Sequence, residues 1–261
     1  MHVKTDVFCS ASITLPDRAG RQINIGGWSG PSTFGIRIYW PDGTPGTWGV
    51  NDWQENVNEL SLQAGRWYPS AMIMTNGSIL VVGGEVGSNA APSPSLELLP
   101  RVGGLVNLPF LQATDPFNLY PFLCVLPGGG IFIAYYNQAL IMDAGTFATV
   151  KQMPQIPGTV NDDAGGRTYP LEGTAVLLPQ RAPYSDPLTV LICGGSTPGP
   201  AQAIDNCVSI QPEAANPQWV IERMVSSHPC PAMNHLANTI TAFPASYLLH
   251  DRPPRWYLSH S

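Results

Sequence analysis

Apolar and polar positions alternate over short stretches along most of the chain, and these stretches recur in pairs. In residues 66–84, RWYPSAMIMTNGSILVVGG, two runs with alternate apolar positions flank Asn76-Gly77. An Asn-Gly pair between two such runs is typical of a tight β-hairpin turn. The apolar spacing that marks a helix is not sustained anywhere. The pattern therefore predicts an all-β protein built from short hairpins.

Four segments share one plan, which is a leading stretch, an apolar strand, a Gly-containing turn and a second strand that often ends in Gly-Gly. They begin near residues 7, 66, 119 and 168. This spacing is close to the kelch period of roughly 50 residues, in which each repeat forms one four-stranded propeller blade. We therefore predict an incomplete kelch-type β-propeller of about four blades over residues 1–224, with an irregular β-sandwich as the alternative.

Composition narrows the class of protein. Only 11% of the 261 residues are charged, the net charge is −6, and there are 26 glycines and 27 prolines. No apolar run is long enough for a membrane span, and nothing suggests a basic surface for nucleic acid. We expect a monomer with no nucleic-acid or membrane partner. No apolar targeting segment precedes the first strand, so either the protein is cytosolic or its beginning is missing, and the composition favours a secreted parent.

The five cysteines are Cys9, Cys124, Cys193, Cys207 and Cys230. Cys193 and Cys207 flank a loop rich in Gly and Pro, which suits a loop-closing disulfide in an oxidising compartment, although two separate thiols fit the spacing equally well. Cys124 lies in the apolar run FLCVL and is most simply a buried thiol.

Longer motifs carry a resemblance to a known family. They are DVFCS with its hairpin to GGW, RWYPSAMIMTNGSILVVGGEVGSN, YPFLCVLPGGGIFIAYYN, and GGRTYPLEGTAVLLP with LTVLICGGSTPG. Together they closely resemble the glyoxal oxidase N-terminal domain of the copper radical oxidases, over about residues 1–224. Galactose oxidase is similar at a greater distance, mainly in the Cys-bearing hairpin and the Arg-x-Tyr-x-Ser motif.

The resemblance implies a seven-bladed propeller with one copper ion on its axis. Two tyrosines and two histidines would bind the copper, and one tyrosine would be joined to a cysteine through a thioether. By match of motif, the cross-linked pair is Cys9 and Tyr68, and Tyr68 is also a copper ligand. The implied reaction oxidises an aldehyde, its hydrate or a primary alcohol and reduces O2 to hydrogen peroxide.

The chemistry explains these residue types. One copper ion exchanges one electron easily, so a two-electron oxidation needs a second redox partner, and a thioether makes a phenol easier to oxidise. Imidazole and oxygen ligands suit Cu(II). Without the resemblance, Cys9 is most simply an inert buried thiol and Tyr68 a strand-edge anchor. Val86 stands where galactose oxidase has a tryptophan over its cofactor, so that enzyme's substrate preference should not be transferred.

The family's remaining copper ligands have no counterpart in the matching region. Its second tyrosine lies in a Tyr-His-Ser motif, and this chain has no Tyr-His pair; of its five histidines only His2 lies within the matching region. We therefore predict that the chain alone is inactive and binds copper weakly. The alternative is a non-catalytic kelch propeller that binds carbohydrate or protein through its loops.

The tail, residues 225–261, has no blade plan, and we predict that it is disordered. Val225-Ser226 can be encoded as GTAAGT, a strong 5′ splice signal, and Ile240-Thr241 can end in ACAG. We hypothesise a retained intron of roughly fifty nucleotides followed by a frameshift. Residues 251–260 are DRPPRWYLSH. Codons chosen within the degeneracy of the genetic code for these residues, read one nucleotide later, can encode TALPDGTFLI, a hairpin with a Pro-Asp-Gly turn.

Sequencing of genomic DNA and transcripts around codons 220–261 tests this hypothesis. We expect splice signals at both boundaries and a spliced transcript whose reading frame restores a blade hairpin and, further on, the Tyr-His-Ser motif. Mature transcripts that all keep the insert would refute it.

Overall fold

The computed structural model describes residues 2–87, 90–159, 163, 165–180, 182–199 and 202–223. The predicted tail lies outside these residues, so the hypothesis about it stays a prediction. Within the described part, one α-helix and one 3-10 helix accompany the strands, α1 (Pro109–Thr114) and η1 (Gly30–Phe34). No helix there is long and apolar enough to cross a membrane.

The strands form four separate antiparallel sheets, each following one predicted repeat. They are β1 (Ala11–Thr14), β2 (Gln22–Ile25) and β3 (Ile36–Tyr39); β4 (Ser70–Ile73), β5 (Ile79–Val82), β6 (Ser95–Leu99) and β7 (Val106–Asn107); β8 (Phe122–Val125), β9 (Gly130–Tyr135), β10 (Gln138–Asp143) and β11 (Thr149–Gln152); β12 (Gly173–Leu177), β13 (Val190–Gly194), β14 (Asn206–Ile210) and β15 (Val220–Arg223). The all-β prediction is confirmed. The described sheets do not close into a ring, so the propeller stays a prediction.

The first strands of the four sheets lie side by side in chain order, β1 beside β4, β4 beside β8, and β8 beside β12. The apolar side chains lie between consecutive sheets. On β5, Leu80 and Val82 pack toward the third sheet, whereas Ile79 and Val81 pack toward the first. Successive side chains of a strand point to opposite faces, so a strand between two sheets must be apolar throughout. This accounts for the unbroken ILVV of β5.

The hairpin turn at Asn76-Gly77 differs in length from the two-residue turn that this dipeptide favours. Met74 N donates to Ser78 O at 2.8 Å, which leaves three residues in the turn, and Gly77 has φ 82°. A three-residue hairpin needs a left-handed residue at its last position, and glycine adopts that conformation without a steric penalty. The prediction of a hairpin is confirmed, and the turn is one residue longer.

A buried arginine fastens the segment ahead of the sheet in the second and fourth repeats. Arg66 is fully buried, donates to Gly83 O at 2.8 Å, and forms an ion pair with Glu97 at 2.9 Å. Arg167 donates to the equivalent carbonyl, that of Gly194, and to Asn206 Oδ1 at 2.8 Å. Each arginine therefore ties the segment that carries a Tyr-Pro pair to the second and third strands of its own sheet.

Cys193 and Cys207 form a disulfide between β13 and β14, with an S–S distance of 2.03 Å. Of the two alternatives left open by the sequence, the structure therefore favours the bridge. Cys124 is a free, half-buried thiol, and burial raises its pKa to about 12. It therefore stays protonated at neutral pH, as expected of an inert thiol.

Replacement of both bridged cysteines with alanine should lower the free energy of unfolding by about 3 kcal/mol, because the bridge closes a loop of about 15 residues in the unfolded chain. Urea titration of this double variant and of the oxidised wild type measures the difference. Wild-type protein kept in dithiothreitol is the matched control and should behave like the variant. Equal unfolding midpoints for oxidised wild type and variant would contradict a stabilising bridge.

Candidate functional site

Four equivalent positions, one ahead of each sheet, have left-handed backbone conformations. Cys9, Tyr68, Tyr120 and Glu172 have φ values of 56°, 61°, 50° and 61°. In each repeat, the residue two positions later lies at or next to the start of the first strand. That residue pairs with the residue of the second strand that directly precedes a Gly-Gly or Tyr-Tyr pair. These strand pairs are Ala11 with Ile25, Ser70 with Val82, Phe122 with Ala134, and Thr174 with Cys193. Residues other than glycine rarely adopt this conformation, and such residues cluster at functional sites.

Backbone hydrogen bonds join the first three of these positions from sheet to sheet. Tyr68 N donates to Cys9 O at 3.0 Å, and Tyr120 N donates to Tyr68 O at 3.0 Å. The structure thus brings together Cys9 and Tyr68, which are 59 positions apart along the chain. Cys9 packs against the buried cluster of Trp67, Tyr68 and Leu119.

Aromatic rings fix the Tyr68 side chain, which is only 7% exposed. Tyr169 stacks on it with ring centroids 4.5 Å apart, and the two hydroxyl oxygens are 3.3 Å apart. The Trp67 ring lies at 4.1 Å, and Tyr120 meets the Tyr68 ring edge-on at 5.4 Å. Packing of this kind fixes a phenol ring in one orientation.

Three groups of this cluster have raised pKa values, the Cys9 thiol and the Tyr68 and Tyr120 hydroxyls. Burial raises the pKa of the Cys9 thiol, although hydrogen bonds with Tyr68, Tyr120 and Trp67 oppose the shift. Burial, together with the hydrogen bond to Tyr169, raises the pKa of Tyr68, and burial does the same for Tyr120. A thiolate or phenolate here would therefore need a compensating charge.

A cavity of about 880 Å³ opens beside this cluster. The first strands of the sheets form its wall, and Tyr120, Tyr169 and Glu172 stand at its margin. The remaining lining side chains that can form hydrogen bonds are mainly hydroxyls, those of Ser10, Ser12, Ser70 and Thr174. The cavity could hold a small molecule next to the tyrosine cluster.

The described residues fit a tyrosine joined to Cys9 but not a complete copper site. No group of three or more His, Cys, Asp and Glu side chains that could hold a metal occurs in the described part. His2, the only histidine there, is exposed, and its backbone N donates to Asp52. Two tyrosine oxygens without imidazoles do not make the ligand set that Cu(II) prefers.

Three residues of this site, Tyr120, Tyr169 and Glu172, were not predicted as site residues. The repeated Tyr-Pro pair, at Tyr68, Tyr120 and Tyr169, is a signal that could have indicated the two tyrosines. In the fourth repeat, however, this signal would have aligned Tyr169 with Tyr68. The strand pairing shows that the residue equivalent to Tyr68 is Glu172, three positions after Tyr169.

Comparison with known proteins agrees with the resemblance noted in the sequence. The sequence model of the family "Glyoxal oxidase N-terminus" matches residues 1–239. A WSC domain-containing protein of Arthroderma benhamiae is 67% identical over 226 residues, which are 87% of this chain and 24% of that protein. Aldehyde oxidase GLOX of Vitis pseudoreticulata is 32% identical over 236 residues, which are 86% of this chain and 41% of that protein. The chain thus spans less than half the length of these relatives.

A solved structure with a similar fold extends this comparison. It is described as a novel fungal alcohol oxidase with catalytic diversity among the AA5 family, in complex with copper. The TM-score is 0.54 at 15% sequence identity, and the match covers 86% of this chain and 43% of that one. At this identity the likeness concerns the fold alone.

Proposed function

The chain belongs to the glyoxal oxidase N-terminus family, and from that premise we propose that it is part of a secreted copper radical oxidase. The whole enzyme would oxidise aldehydes or primary alcohols and reduce O2 to hydrogen peroxide. The contact between Cys9 and the ring-packed Tyr68, beside a cavity, carries this proposal. The aldehyde oxidase from Vitis supports the substrate class.

We also propose that the four sheets are four blades of a kelch-type propeller. Their first strands lie side by side and form the wall of the cavity, as the innermost strands of propeller blades do around an axis. Other parts of the whole protein would complete the ring and supply the second tyrosine and both histidines. The copper ligands contributed by the described residues would then be limited to Tyr68.

The proposed thioether between Cys9 and Tyr68 forms by a two-electron oxidation. A bond forms between Cys9 Sγ and the Tyr68 ring carbon next to the hydroxyl, and one S–H bond and one C–H bond break. Two electrons and two protons pass to O2, which becomes hydrogen peroxide. In the catalysed reaction, one aldehyde, one water and one O2 give one carboxylic acid and one hydrogen peroxide.

The described residues would prepare this chemistry by holding the reacting side chains in place. The backbone hydrogen bond from Tyr68 to Cys9 fixes the two main chains, and stacked Tyr169 limits rotation of the ring. Such pre-organisation shortens the search for the reactive geometry. The Cys193–Cys207 disulfide supports an oxidising, extracellular location for the parent protein.

Peroxide production tests the proposal directly. The chain alone, incubated with Cu(II) and methylglyoxal, should give no peroxide above background, whereas the protein extended through the missing ligands should give peroxide in step with O2 uptake. Peroxide formed by the chain alone would overturn the predicted inactivity. An extended, folded, copper-loaded protein without oxidation or thioether would favour the non-catalytic binding propeller.

A further inference from the structure

Glu172 carries the only charged side chain among the described residues that line the cavity. The other lining residues present hydroxyl groups, the Cys124 thiol, aromatic and aliphatic side chains, or backbone. Glu172 is exposed, so its carboxylate is accessible to a small molecule in the cavity. A single charge in an otherwise neutral wall has a large influence on which small molecules enter.

The backbone places this residue in the wall of the cavity. Glu172 is the fourth left-handed position, equivalent to Cys9, Tyr68 and Tyr120, and of these three residues Tyr120 also lines the cavity. The next residue, Gly173, could not carry a side chain instead, because an added Cβ would clash with the backbone oxygen of Arg167. At this end of the fourth sheet, the cavity wall therefore carries the side chain of residue 172 and none from residue 173.

The chemistry of the proposed reaction gives this carboxylate a use. An aldehyde hydrate or a primary alcohol is a neutral O–H donor, and a carboxylate is a strong acceptor for such a donor. The carboxylic acid formed from an aldehyde is negatively charged at neutral pH and would be repelled. An aldehyde that already carries a carboxylate would be repelled in the same way.

We propose that Glu172 is a specificity-determining residue, which accepts a hydrogen bond from the hydroxyl of a neutral aldehyde hydrate or alcohol and disfavours carboxylate-bearing aldehydes. This inference rests on the proposed oxidase function and names the substrate class of the same site. It is not a consequence of family membership, because it depends on one side chain and its place in the cavity wall.

Steady-state kinetics of the extended, copper-loaded oxidase test this with glycolaldehyde, which is neutral, and glyoxylate, which is anionic. Glu172→Gln should raise the glyoxylate-to-glycolaldehyde ratio of kcat/KM by about fivefold, the order of effect expected when one unit charge is removed from a partly solvated site. The change should lie mainly in the KM for glyoxylate and should shrink in about 0.5 M salt. Asp186→Asn removes an exposed carboxylate from the turn region of the same sheet and should leave the ratio unchanged.

A second readout needs neither copper nor turnover. In the copper-free chain, the Cys9 thiolate displaces iodide from neutral iodoacetamide or from anionic iodoacetate, and peptide mass spectrometry follows Cys9 alone. Glu172→Gln should raise the iodoacetate-to-iodoacetamide rate ratio at low salt, and Glu172→Lys should raise it further. Asp6, whose charge acts on Cys9, is the same in every variant.

The two readouts separate the two proposals. Unchanged ratios in both variants, or ratios that do not respond to salt, would overturn the role of Glu172 even in an active oxidase. If the Cys9 alkylation ratios change as expected but the extended, copper-loaded protein oxidises neither substrate, the electrostatic effect of Glu172 in the cavity is supported and the proposed oxidase function is rejected.

Discussion

Replacement of Cys9 with serine should abolish the thioether and lower kcat of the extended, copper-loaded oxidase by about 10³-fold or more. A loss of this size is typical when a group that takes part in the chemistry is removed. The side chain loses its sulfur but keeps nearly the same volume, so folding should change little. Oxidation assays measure kcat, and thermal unfolding checks the fold.

Mass spectrometry gives the independent measurement. The wild-type protein loaded with copper in air should lose two hydrogens and yield one peptide that joins Cys9 to Tyr68, whereas Cys9→Ser should keep its full mass. Cys124→Ser is the matched control and should retain both the cross-link and activity, because Cys124 lies on β8 with a pKa of about 12.

The cross-linked peptide also distinguishes Tyr68 from Tyr120 as the partner of Cys9. Its side chain also interacts with Cys9 and meets Tyr68 edge-on. A cross-linked peptide that contains Tyr120 in place of Tyr68 would contradict the assignment while leaving the oxidase chemistry intact. A fully active Cys9→Ser variant would contradict the cofactor itself.

Replacement of Arg66 with methionine should destabilise the protein by about 3–5 kcal/mol, because Glu97 is then left as an uncompensated charge in the interior. Both side chains of this pair are essentially buried. The substitution also removes the hydrogen bonds to Gly83 O and Ser95 O, which fasten the segment that carries Tyr68. Urea unfolding measures the loss.

The double variant Arg66→Met with Glu97→Met is the control. It removes both charges, so it should recover a large part of the lost stability. A single variant as stable as wild type, or a double variant much less stable than the single one, would contradict the ion pair as the cause.

The sequence predicted the repeat well because hairpin chemistry is local. Alternating apolar positions, Gly-containing turns and the Gly-Gly endings depend on backbone geometry within about twenty residues, and the four observed sheets follow the four predicted repeats. The match of long motifs likewise indicated Cys9 and Tyr68 before any contact between them was known.

Glu172 and Tyr169 could not be placed in this way, because their positions depend on strand pairing and on contacts between sheets. Tyr169 has the same Tyr-Pro signal as Tyr68, yet it stacks on Tyr68 from the fourth repeat and does not occupy the equivalent position. In the fourth repeat, the Tyr-Pro pair lies three residues earlier relative to the strand than in the second repeat. The position equivalent to Tyr68 is therefore occupied by a glutamate, and the local sequence pattern does not reveal this shift.

By itself, the sequence determined the all-β class, the four repeats, the family and the identity of the cysteine and tyrosine proposed as a cofactor. Only the tertiary structure decided that the first strands of the four sheets stand side by side, that Tyr169 covers the Tyr68 ring, and that Glu172 is the one charged residue among the described residues that line the cavity. The physical reason is distance along the chain. Local propensities and motifs act over a few residues, whereas the site is assembled by packing between segments that lie fifty or more residues apart.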